Sequence, residues 1–193
     1  LIGSIVFDDR IRLRTEAQCA GAASKLVLDM IVNSAPSTTK ADLASALRSL
    51  AQDSPMNSLI VIVSDFNCEL TDEAMSWLSQ INNGHNNSSL FLMLYDSHEL
   101  LLSREHFTAT VHGCGAGGRV VCNMKSAALA NTVNDEFVSR QELMRDQLRR
   151  ADSDFLALNI SDNYVKRLVK FFIRRRNSNS YLPQPIRENI KEF

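Results

Sequence analysis

Two carboxylates stand at the ends of apolar runs, and that placement marks where chemistry could occur in this chain. Asp65 closes Leu59-Ile60-Val61-Ile62-Val63-Ser64, and Asp96 closes Leu90-Phe91-Leu92-Met93-Leu94-Tyr95. An unbroken aliphatic run reads as a strand buried on both faces, and in open parallel sheets ligands gather outside the carboxyl ends of such strands. Acids held there could ligate a hard divalent cation, exchange protons, or contact a partner. Glu69 and Glu99 lie in the adjoining loops.

Other chemical motifs fall short. An α/β-hydrolase needs a GxSxG elbow, and Ser64-Asp65 lacks the flanking glycines. The glycine-rich stretch from Gly113 to Gly118 precedes a strand and lacks the Lys-Ser/Thr of a phosphate loop, so it reads as a hairpin turn. His98, His106 and His112 with Cys114 match no common zinc spacing. Cys19, Cys68, Cys114 and Cys122 form no CxxC pair and read as reduced thiols, which points to a cytoplasmic setting. Lys166, Arg167 and Lys170 lead into Arg174, Arg175 and Arg176 at the end of the last helix. That cluster could touch an anion, although attraction to the helix C-terminus explains much of it.

The elements that must position these residues follow from composition and periodicity. With 193 residues, 45% apolar content and a net charge of -1, the chain reads as one soluble globular domain. Neither nucleic acid nor an anionic membrane is attracted by such a balance, and no run approaches the roughly 20 apolar residues of a membrane span. Residues 2–7 and 10–14 alternate as an edge hairpin, and a helix is expected from 15 or 16 to 33, closed by Pro36. A second helix begins near 40–42 and carries Leu43, Ala46, Leu47 and Leu50 into the strand ending at Asp65. Thr71-Asp72-Glu73 caps a helix through Ile81, and Asn82-Asn83-Gly84 starts a loop before the strand 90–95. A weaker hairpin or edge strand around Val111 and 119–122, a long helix over 126–150 and a strand over 155–158 come next. Ser161-Asp162 caps a last helix striped by Tyr164, Val165, Leu168, Val169, Phe172 and Ile173. This alternation predicts a Rossmann-like α/β fold over residues 1–176, mostly parallel with an N-terminal edge hairpin and helices on both faces, and a polar tail over 177–193.

The order of several short motifs carries a resemblance. Gly3-Ser4-Ile5-Val6-Phe7-Asp8-Asp9, Ala41-Asp42-Leu43-Ala44-Ser45-Ala46-Leu47, the run to Phe66, Tyr95-Asp96-Ser97-His98-Glu99, and Asn159-Ile160-Ser161-Asp162 before Phe171-Phe172-Ile173-Arg174-Arg175 resemble a bacterial family. It is catalogued as domain of unknown function fifty-eight, a set of von Willebrand factor A-like domains. The resemblance implies an adhesion site at the carboxyl edge of the sheet, where a DxSxS motif, a threonine and an aspartate hold Mg²⁺. Asp65 matches the aspartate, and Asp42-Leu43 matches a Thr-Asp-Leu stretch in which Ala41 replaces the threonine. Thr38 or Thr39 could serve only if the loop shifts. No DxSxS occurs, and the chain begins at what would be the second strand.

A partial site is therefore implied, with no tightly bound cofactor, and Mg²⁺ is expected only if an upstream strand supplies DxSxS. The missing central strand would leave inner edges for the second strand, another segment or a second copy of the chain to close. By resemblance the function is a non-enzymatic adaptor or scaffold that works with a MoxR-type AAA+ ATPase in protein maturation or stress response. Asp42, Asp65, Phe66 and Asp96 would contact the partner. The alternative is a metal-dependent hydrolase or phosphatase that uses carboxylates at the same edge.

Overall fold

The computed structural model describes residues 1–33, 40–53, 56–97, 108–112, 119–123 and 127–177. Expectations for Pro36, Thr38, Thr39, His98, Glu99, His106, Gly113 to Gly118 with Cys114, and the tail from 178 onward lie outside them. Strands β1 (Ile2–Phe7) and β2 (Ile11–Gln18) form an antiparallel hairpin. Its turn is tied by Arg12, whose Nε donates to both Asp8 carboxylate oxygens at 2.7 and 2.8 Å while Nη2 reaches Asp9 at 3.0 Å. This guanidinium holds the Asp8 carboxyl well below the usual carboxylate range.

Strand β2 runs past the expected start of the first helix. Thr15 pairs with Ser4, and its Oγ1 accepts the Ser4 N–H at 3.0 Å and lies 2.7 Å from Ser4 Oγ. A β-branched residue with a cross-strand partner continues a strand at little cost, so helix α1 begins only at Ala20 and ends at Asn33.

The remaining elements alternate. They are α2 (Leu43–Asp53), β3 (Leu59–Ser64), α3 (Asp72–His85), β4 (Ser88–Tyr95), β5 (Thr108–His112), β6 (Arg119–Asn123), α4 (Ala127–Arg150), β7 (Ser153–Asn159) and α5 (Tyr164–Asn177). Strands β3, β4 and β7 form a parallel sheet in that order, with β4 central. Because strand residues alternate faces, Ile62, Phe91 and Met93 point to one side, where Phe155 and Ala157 join them in the main core. Leu47 of α2, Leu78 and Ile81 of α3, and Met144 and Leu148 of α4 fill that core. On the opposite face Leu90, Leu92, Leu156 and Leu158 meet only Leu168 and Phe171 of α5 among the described residues. Among the described residues, three helices thus cover one face and a single helix the other.

Three details depart from the sequence reading. The hairpin β1-β2 is a separate two-stranded sheet, not an edge of the parallel one, and β5-β6 forms a third. Helix α3 continues through Asn82-Asn83-Gly84 to His85, because the Asn82 side chain is buried and bonded inward instead of turning the backbone. It ends at Asn86, left-handed at φ 52°, whose N–H donates to Asn82 O. Helix α5 is capped by Asn163 and not by Ser161 or Asp162, since Asn163 Oδ1 accepts the Lys166 N–H at 3.0 Å.

Candidate functional site

The carboxyl ends of β3, β4 and β7 lie side by side, and each is finished by a polar turn. After β3 the chain makes a tight, left-handed step at Phe66, φ 49°. Such a backbone is costly for a bulky residue and persists only where packing holds it. Here packing does so: Phe66 is 1% exposed and its ring centroid lies 5.4 Å from that of Phe91. Phe66, expected to meet a partner, is therefore a core residue that anchors the loop, because the apolar ring gains more from the core than from solvent.

Anchoring Phe66 fixes the acid beside it. The Phe66 N–H donates to Ser64 Oγ at 3.0 Å, Ser64 Oγ donates to Asp65 Oδ1 at 3.3 Å, and the Asn67 N–H donates to the same oxygen at 3.2 Å. Asp65 is exposed and held in one orientation by these bonds. Arg140 on α4 then donates to Asn67 Oδ1 at 2.9 Å, tying the loop to a long helix. Thr71 caps α3 as its sequence position predicts, with Oγ1 accepting the Ala74 N–H at 3.2 Å. Between them, Cys68 is half-buried, and burial first and the Asp65 charge second push its thiol up.

The other tips are linked to one another. Tyr95 O accepts the Ile160 N–H at 2.9 Å, and Asp96 Oδ1 accepts from Ser161 Oγ at 3.2 Å. Asn159, buried at the end of β7, accepts both the Ser97 N–H at 3.3 Å and the Ser161 N–H at 3.0 Å. Asn159 was not among the expected site residues. An apolar run closed by a polar residue, the same pattern that marks Asp65 and Asp96, also marks it.

Asp42 has a structural assignment of its own. Its Oδ1 accepts the Ser45 N–H at 3.0 Å as the cap of α2, while its N–H donates to Asp8 O at 2.7 Å and so docks the hairpin turn. The Ser45 hydroxyl and amide lower the Asp42 carboxyl below its ordinary value. A depressed folded value means that the stabilisation is present above the unfolded value and is lost as pH falls through the folded one. Asp42→Ala is expected to cost about 1 kcal/mol at neutral pH. Urea midpoints should show the gap to the parent closing in acid, whereas Asp42→Asn keeps its capping bond at either pH.

No family model, curated protein or solved structure matches the chain. The site is therefore read from its own geometry. Among the described residues no group of three or more His, Cys, Asp or Glu side chains could hold a metal ion. Asp65 spends one oxygen on its own turn, Asp42 spends one on a helix cap, and Thr39 lies outside the described residues. Asp65 and Asp42 alone do not supply the near-octahedral set of oxygens that Mg²⁺ calls for.

The basic residues also sit elsewhere. Arg175 lies 3.3 Å from Asp154 near the start of β7, so α5 runs antiparallel to the strands and carries Arg174, Arg175 and Arg176 to the amino end of the sheet. They do not share a site with Asp65. Asp154 is largely buried, and that burial pushes its carboxyl up against the opposing pull of Arg175.

Proposed function

We propose that this chain is a non-enzymatic protein-interaction domain whose recognition surface is the carboxyl edge of the parallel sheet. The observation that carries this reading is the fixed, exposed presentation of Asp65 by a loop whose neighbour Phe66 is locked in the core. An acid held in one orientation loses little conformational freedom on binding, so a partner's amides or cations gain more from it than from a mobile side chain. Asp96, bonded to Ser161, extends the same edge.

The ordered motifs that resemble the von Willebrand factor A-like family support a finer form of the reading. In that form the fold is of the von Willebrand A type, the partner is a MoxR-type AAA+ ATPase, and the domain is a cytoplasmic adaptor in protein maturation or stress response. The described residues contain no helix long and apolar enough to cross a membrane. An α/β domain with a parallel sheet is compatible with this reading.

Asp65→Ala tests it. With a MoxR-type ATPase from the same genome as ligand, calorimetry is expected to show affinity falling at least about tenfold, the scale for losing a charge-assisted hydrogen bond. Unchanged affinity in the variant would remove Asp65 from the interface. A turnover activity lost with the same substitution would favour the hydrolase reading instead.

A further inference from the structure

Among the described residues, the second face of the parallel sheet is only half covered. Val61 pairs with Leu90 and Val63 with Leu92, so Leu59, Val61 and Val63 point to the face on which α5 sits. Leu90 and Leu92 are buried beneath that helix, yet the three β3 side chains remain 44–53% exposed. Strand β3 also has no hydrogen-bonded neighbour beyond β4 among the described residues, and it carries neither the charge nor the proline that usually blunts an open edge.

The flank of α5 continues this surface. Val165, Val169, Phe172 and Ile173 are exposed and line a groove with Leu168 and Arg176. A right-handed helix that runs antiparallel to the strands, with Leu168 and Phe171 down, turns Val165 and Phe172 toward β3. Floor and wall are then both apolar, and the lysines Lys166 and Lys170 fall on the far side of the helix.

Helix α1 shows the converse. Leu28, Ile31 and Val32 share one face at i, i+3 and i+4 spacing and are 58–78% exposed, whereas Ala23 is the helix's one buried residue. Among the described residues, one apolar sheet surface lacks a helix, and the outer apolar face of α1, whose other side packs on the hairpin, lacks a surface. From their fractional exposures, these α1, β3 and α5 side chains leave on the order of 900 Å² accessible, against about 800 Å² per partner in a standard interface.

We propose that the occupant is a second copy of this chain, with α1 of each copy seated in the groove between β3 and α5 of the other. Reciprocal exchange of the same element closes a two-fold dimer and leaves neither apolar face in water. The surface is distinct from the Asp65 edge and does not depend on what binds there.

Sedimentation equilibrium of the full chain at about 50 µM tests it, a concentration above the micromolar dissociation constants at the weak end for interfaces of this size. A dimer is expected, and Leu28→Asp and Val61→Asp should each shift the equilibrium to monomer by at least about tenfold, since a buried unpaired carboxylate is heavily penalised. Both positions face solvent in the single chain, so circular dichroism should show both variants folded. Val169→Asp probes the groove from the helix side should Val61→Asp disturb β3. A parent chain that is monomeric, or a dimer indifferent to Leu28→Asp, overturns the proposal.

Discussion

Phe91→Ala is expected to lower stability by about 3–5 kcal/mol, the range for emptying a fully buried aromatic site. Phe91 is 0% exposed at the middle of the central strand, and it packs between both flanking strands and the Phe66 ring. A loss of that size is a large share of the 5–15 kcal/mol typical of a domain, so the urea midpoint should fall steeply while the slope stays near parental. Phe91→Leu keeps most of the volume and should cost less than about 1.5 kcal/mol. The same substitution reaches the site. With its ring partner gone, Phe66 loses part of what holds its left-handed backbone, and the Asp65 turn loosens with it. A Phe66→Ala, Phe91→Ala pair should cost less than the sum of the single changes, because the two rings share one contact. Strict additivity would show that Phe66 is anchored by something else.

Asn82→Ala is expected to cost about 2–3 kcal/mol for a different reason. Its Nδ2 donates at 2.7 Å to Ala151 O, the carbonyl just before β7, and also lies 3.0 Å from Ser89 Oγ and 3.1 Å from Ser153 Oγ. All of these partners are buried, and although Ser153 Oγ also donates to Ala151 O at 3.2 Å, losing the shorter Asn82 bond and its two hydroxyl contacts costs about 1–3 kcal/mol before any cavity is counted. Ser89 and Ser153 are paired residues at the start of β4 and β7, 2.6 Å apart through their hydroxyls. Asn82 thus pins α3 to the amino ends of two strands. Asn82→Asp should be worse than alanine, since a buried carboxylate would face the Ala151 carbonyl. Asn83→Ala, one residue along on the exposed side of the same helix, should stay within about 0.5 kcal/mol of the parent. Equal effects at both positions would refute the buried network.

Asn82 also shows why some of the fold was hard to read. Asn-Asn-Gly is a turn signal by local chemistry, and nothing nearby indicates that the first Asn meets a carbonyl 69 positions away. Thr15 is a like case, because the residue that keeps β2 extended there is Ser4 on another strand. Phe66 is a third case. Its place after a strand tip suggested a surface residue, but its ring reaches the core only through a backbone step that sequence does not display.

Much was legible nonetheless, and for local reasons. The two aliphatic runs fall within the predicted parallel strands, the helical stripes mark α2, α3, α4 and α5, and polar residues close the strand tips. Period and capping are properties of short windows, and right-handed crossovers convert their order into a parallel sheet with α3 and α4 on one side. By itself, then, the sequence determined the alternation of elements and the carboxylates at the carboxyl edge. Only the tertiary structure decided that the hairpin stands apart from the sheet, that the arginines lie at the opposite end from Asp65, and that β3 has one apolar face left open among the described residues. These depend on which distant segments pair, and a strand's own residues carry its period but not its neighbour.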